Sequence, residues 1–170
     1  IANAIMDDNN ALSPASISSG TTVQNHYIFT RRFHMTNPTV RMNPGYDEET
    51  GVSFENGYSF LNPEIIRPAG PVDNDLPVLL FRDQDGSIPV GSFTCFALHT
   101  CIAGPAYSAD YPGFLAEKLQ EDYGVGFVSI FGEGTCGDIN QWDVSKPIEG
   151  QMGPEAARKI GSTLAQTMPE

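Results

Sequence analysis

Between Pro77 and Met168 the chain alternates two kinds of apolar pattern, and this alternation constrains the fold more than any other feature. Val78-Leu79-Leu80-Phe81 is rich in β-formers, Asp83-Gln84-Asp85-Gly86 is a turn signal, and Ile88 to Leu98 is a second run, which together predict a hairpin. In the second run Phe93, Cys95 and Ala97 fall on one face, Phe96 and Leu98 on the other. A strand apolar on both faces is expected at the centre of a sheet, between layers. A polar loop, Thr100 to Ser108, leads to Asp110-Tyr111-Pro112, where an acceptor side chain and an early proline open a helix. Tyr111, Leu115, Leu119 and Tyr123 recur at a spacing of four, and Gly124 stops the helix. Phe127 to Phe131 reads as a third strand. A last helix opens near Gly153-Pro154-Glu155, carries Ala156, Ile160, Leu164 and Met168 on one stripe, and is expected to end at Pro169. The order predicts an α/β fold: a mixed β-sheet with at least one parallel pair, flanked by helices, taking ligands beyond the carboxyl ends of its strands.

The half before this is different. From Gln24 to Leu76 the breaks Asn37-Pro38, Asn43-Pro44-Gly45, Asn62-Pro63 and Pro68-Ala69-Gly70-Pro71 follow one another closely. The expectation is an irregular segment over 24–76, with brief strands around Tyr27-Ile28-Phe29 and Phe33, joined to a regular core over 77–170. A loop of that length shapes a binding face or lies against further protein. Ile1, Ala2, Ala4 and Ile5 read as the end of an amphipathic helix begun upstream, so the 170 residues are expected to be one domain, a fragment of a larger catalytic unit whose other segments complete it.

Charge narrows the function. Nine basic against 21 acidic residues leave a net charge of -12, which repels phosphate backbones and excludes nucleic acid as an expected partner. No run of about eighteen apolar residues is present to span a bilayer. Cys95, Cys101 and Cys136 cannot all pair within one chain: either one disulfide and a free thiol form, or three buried thiols act as small hydrophobes.

Two motifs stand at predicted strand ends, Leu98-His99-Thr100 and Gly134-Thr135-Cys136-Gly137-Asp138-Ile139-Asn140. If the strands are neighbours, the His99 imidazole, the Asp138 carboxylate, the Asn140 amide and several backbone N–H groups converge on one crevice. His99 is either a metal ligand, its second nitrogen oriented by a carboxylate such as Asp110, or a hydrogen-bonded structural residue. Gly134 and Gly137 allow backbone geometry closed to other residues, so the segment is either an anion-cupping nest, with Thr135 and Cys136 contributing N–H groups, or a tight turn. Cys136 is either a nucleophile activated by His99 or a buried hydrophobe.

The ordered set Arg31-Arg32-Phe33-His34-Met35, Asn43-Pro44-Gly45, Pro68-Ala69-Gly70-Pro71-Val72-Asp73, Asp85-Gly86, Phe96-Ala97-Leu98-His99, Ser108-Ala109-Asp110-Tyr111-Pro112-Gly113 and Gly134 to Asn140 resembles the catalytic domain of the neutral/alkaline, non-lysosomal ceramidases. The resemblance implies a zinc-dependent hydrolase of amide or ester bonds acting on a small-molecule or lipid-like substrate, with His99 as a ligand of the catalytic zinc. It also implies a periplasmic or secreted location. The family's serine nucleophile lies in Gly-Asp-Val-Ser-Pro-Asn, and the aligned residue here is Asn140, followed by Gln141. The family's other zinc ligands, a further histidine upstream and a glutamate and tyrosine downstream, have no match in these residues. The alternative is a silent binding module that keeps the fold.

Overall fold

The computed structural model describes residues 1–57 and 59–168. In chain order the elements are helix α1 (Ala2–Asn10), strands β1 (Ala15–Val23), β2 (Phe29–Thr30), β3 (Arg32–Met35), β4 (Val40–Met42), β5 (Gly45–Asp47), β6 (Val52–Phe54), β7 (Ile65–Pro68), β8 (Asp75–Asp83) and β9 (Pro89–Phe96), helix α2 (Asp110–Tyr123), strands β10 (Val128–Glu133) and β11 (Ile139–Asn140), and helix α3 (Pro154–Thr167).

The main sheet has the order β1-β8-β9-β10. The expected hairpin is β8 and β9, antiparallel, with Leu79 opposite Phe93 and a register shift at Phe81/Arg82. β10 lies parallel to β9, so α2 is the crossover between them, and the sheet is mixed as its sequence order requires. Leu76, Val78, Leu80, Thr94 and Phe96 face the helices and are buried with Leu115, Leu119, Ile160 and Leu164. Gly161 lets the two helices close on each other: a Cβ there would stand 2.4 Å from the Tyr111 carbonyl oxygen and 2.6 Å from the Leu115 nitrogen.

β9 is central in order, as expected, but it is not enclosed on both faces. Ile17, Leu79, Phe93, Val128 and Ile130 stand on the face away from the helices and are exposed. The strand's two-sided apolarity reports the sheet's composition rather than a second covering layer among the described residues.

Three expectations change. Residues 24–76 are not simply irregular: beside the two brief strands expected near Phe29 and Phe33, which are β2 and β3, they carry β4 to β7, with β3 central between β4 and β7, and β5 paired with β6. β1, a Ser- and Thr-rich strand absent from the sequence reading, pairs along its whole length with β8. α1 extends to Asn10 and buries none of its residues. Pro169, expected to end the last helix, lies outside the described residues, but α3 does end at Thr167, immediately before the extended Met168.

Candidate functional site

The parallel pair explains why the two motifs meet. Phe96 is registered with Glu133, the last residues of their strands. His99 lies three residues beyond the first and Cys136 three beyond the second, so two exits of equal length from neighbouring parallel strands arrive side by side. The Cys136 sulfur is 3.2 Å from His99 Nδ1. Glu133 Oε1 is 3.6 Å from the same nitrogen and accepts a hydrogen bond from the Thr100 N–H at 3.1 Å. One nitrogen, one sulfur and one carboxylate oxygen thus lie within 4.8 Å of one another, a group that could hold a metal ion.

Each strand exit is tied down. The buried Tyr111 hydroxyl donates to the Leu98 carbonyl at 2.6 Å, fixing the residue before His99. The Asp110 carboxylate accepts from the Ile102 and Ala103 N–H groups at 2.8 and 2.7 Å and from the Tyr111 N–H at 2.8 Å, fixing the loop after it. Asp110 is therefore spent on backbone, and the carboxylate beside the imidazole is Glu133. Burial, then the Glu133 and Asp110 charges, hold the Tyr111 phenol far above its ordinary range.

In the second exit neither Gly134 nor Gly137 has a positive φ, so the segment is not the alternating left-handed backbone of an anion nest. Gly134 is needed for close approach instead: a Cβ would stand 3.0 Å from the Ala97 Cα, and its N–H donates to the Phe96 carbonyl at 2.9 Å. The N–H groups of Thr135, Gly137 and Asp138 have no hydrogen-bond partner among the described residues.

Arg31, unassigned in the sequence reading, clamps this exit. Its guanidinium donates to the Gly137 carbonyl at 2.5 Å and its backbone N–H to the Asp138 carbonyl at 2.8 Å. The Asp138 carboxylate turns to Arg32 at 3.8 Å. Asn140 is buried, donating to Asn43 Oδ1 at 3.3 Å and accepting from the Trp142 N–H at 3.0 Å. Among the described residues no hydrogen bond or ion pair joins His99 to Asp138 or Asn140.

All three cysteines are free, and only Cys136 is buried; Cys101 is exposed. Burial, then Glu133, push the Cys136 thiol above its ordinary value, the reverse of what activates a nucleophilic cysteine. A cavity of about 710 Å³, lined by Ile28, Phe33, Ile65, Val72 and Trp142 among others, opens where the short strands meet the segment after Asn140. No described helix is long and apolar enough to cross a membrane.

No protein-family model matches the chain, and no curated protein does. Among solved structures it is similar to the neutral ceramidase from Pseudomonas aeruginosa, with a TM-score of 0.61 and 18% sequence identity; the match covers 97% of this chain and 24% of that one. At that identity the likeness is one of fold, and it spans about a quarter of the length of a hydrolase.

Proposed function

We propose that this chain forms part of a zinc-dependent hydrolase of amide or ester bonds, ceramidase-like but with Asn140 where the nucleophilic serine is expected. The carrying observation is His99, a partly exposed imidazole at the exit of a parallel strand, grouped with Glu133 and Cys136 in a fold like that of a neutral ceramidase. The donors suit the ion, since imidazole nitrogen, thiolate sulfur and carboxylate oxygen are the usual zinc ligands. Zinc, when bound, polarises a carbonyl and lowers the pKa of a coordinated water toward neutrality.

In this reading His99 holds the metal, and the backbone from Gly134 to Gly137 binds substrate or a developing oxyanion through the N–H groups of Thr135 and Gly137. Asn140 contributes an amide donor, because an amide cannot attack a carbonyl. Asp138, held by Arg32, orients that segment, and Asp110 orients the loop after His99. The apolar cavity beside Trp142 suits a lipid-like group on the substrate, and the protein acts in the periplasm or outside the cell.

The test uses the natural-length protein with N-acyl amide and ester substrates. Wild type hydrolyses one class, His99→Ala abolishes that activity, and Asn140→Ser changes it; activity indifferent to both substitutions discards the assignment. The competing reading, a silent binding module, is favoured by one observation: both ends of the Asn140 amide are engaged within the protein. It is established instead if wild type neither hydrolyses these substrates nor retains metal under replete conditions.

A further inference from the structure

We infer that the face of the main sheet turned away from α2 and α3 is an internal interface, covered in the natural-length protein by a further apolar layer of the same polypeptide. The inference rests on the reading above that this chain is part of a larger unit. It does not rest on zinc or on hydrolysis.

Register fixes which residues share this face, because side chains alternate across a strand. Ile17 and Val23 on β1, Leu79 on β8, Phe93 on β9, and Val128 and Ile130 on β10 all point to it, and each is between 38% and 64% exposed. Leu79 lies opposite Phe93 and Phe93 opposite Ile130, so the apolar band crosses three strands without a break. Charged residues make up 18% of the chain, yet the positions on this face carry none except Asp75 and Asp83, at the two ends of β8. A sheet with one face in water alternates apolar with polar residues, whereas here the outward positions of β8 and β9 are as apolar as the inward ones, the pattern of strands held between two layers. Soluble proteins rarely leave so continuous an apolar patch open.

The relief of the face suits a packed neighbour. Gly132 lets the Phe93 ring lie over it, since a Cβ there would stand 3.0 Å from the ring. Beside that ring is a hollow of about 380 Å³, lined by Ser19, Thr21, Leu79 and Cys95 among others, with room for side chains of a facing layer to interdigitate.

Size decides the occupant. Four strands about 4.8 Å apart, each about eight residues long at roughly 3.3 Å per residue, give a face of about 19 Å by 26 Å, or about 500 Å². A stable complex of separate proteins covers about 800 Å² on each partner. A second copy therefore has too little area here, and it also sets a net charge of -12 against its own like. A layer joined through the chain loses no translational freedom on docking, so the smaller area suffices. The likeness to the longer ceramidase is in keeping with this, because the match takes up 24% of that chain and leaves the rest to build other layers.

Thiol accessibility in the natural-length protein tests the inference. Ile130→Cys places a small thiol on the face without adding charge. That thiol should react with a maleimide at least about 100-fold more slowly than the same thiol in urea-unfolded protein, because labelling must wait for the covering layer to open. Wild type gives a second readout: Cys95, half-buried on this face, should be as unreactive as buried Cys136. Ile130→Asp, which an open surface would tolerate, should fail to yield folded protein. Protection that persists on dilution supports the inference. Protection lost on dilution assigns the face to a second copy, and faster labelling means an open face; either overturns it, as does an Ile130→Asp protein that folds like wild type. None of these readouts senses metal or activity, so the hydrolase reading stands or falls by its own assay.

Discussion

Asp110→Ala is the sharpest test of how the first strand exit is held. The carboxylate is buried and accepts three backbone N–H bonds, two from the loop after His99 and one from the first turn of α2. Its own N–H is received by Ser108 Oγ at 2.9 Å, and its backbone sits at φ 53, a left-handed conformation that aspartate and asparagine tolerate better than alanine. Hydrogen bonds to a charged acceptor are worth about 1.5–3 kcal/mol each, and their losses do not simply add; with the cost of alanine at this φ, the substitution should remove roughly 3–5 kcal/mol. At about 1.4 kcal/mol per factor of ten, amide exchange across 101–111 should accelerate roughly 100- to 4000-fold. Hydrogen–deuterium exchange with mass spectrometry reads this peptide by peptide. Asp110→Asn, which keeps the left-handed tolerance and one good acceptor, should fall between alanine and wild type. Exchange over 101–111 as slow in Asp110→Ala as in wild type refutes the reasoning, whatever happens to global stability.

Tyr111→Phe deletes the hydroxyl that satisfies the Leu98 carbonyl and should cost about 1–3 kcal/mol in urea denaturation. The same residue sets an alkaline limit. Because the folded phenol stays neutral far above its ordinary 10.0, the stability it lends is complete below that pH and is lost above it as the unfolded chain ionises; Tyr111→Phe should flatten this part of the pH–stability curve. Gly161→Leu forces α2 and α3 apart and should lower stability by about 1–3 kcal/mol or more, measured by the same unfolding transition. Gly134→Val pushes side-chain atoms into Ala97 and should weaken zinc binding more than it weakens the fold, read by chelator competition against thermal melting.

The elements with strong periodicity were legible because packing obeyed the pattern. Leu115 and Leu119 on α2, and Ile160 and Leu164 on α3, are all buried, as their spacing requires. β1 was not legible because its stability comes from the partner: Ser16, Ser18, Ser19, Thr21 and Thr22 give little alternation, yet the strand is held along β8 from Ala15↔Asp83 to Val23↔Asp75. Within 24–76 the apolar patches at Tyr27-Ile28-Phe29 and Phe33 marked β2 and β3, but β4 to β7 escaped for a related reason. They are three to four residues long, and side-chain hydrogen bonds tie them across turns, as where Asn62 Nδ2 donates to Ser53 Oγ at 2.9 Å and Glu64 accepts from the Ser53 N–H at 2.8 Å. Such pairings join positions that no local window compares.

The candidate site divides along the same line. His99 could be nominated from sequence because it leaves an apolar strand at a position where the family resemblance puts a zinc ligand; the imidazole alone reads equally as a structural residue. Glu133 could not, since it sits in Gly132-Glu133-Gly134 as one more polar residue of a turn, and only register gives it meaning. Once Phe96 is paired with Glu133 in a parallel ladder, the side chain of Glu133 falls on the helix-facing side, beside the exit that carries His99. A shift of one residue would send that carboxylate to the opposite face. Asp110 and Asp138 show the converse: both are acids near the motifs, yet backbone N–H groups claim one and Arg32 the other. Proximity in sequence nominates carboxylates for a metal centre, but competition among hydrogen-bond donors decides which one remains beside it.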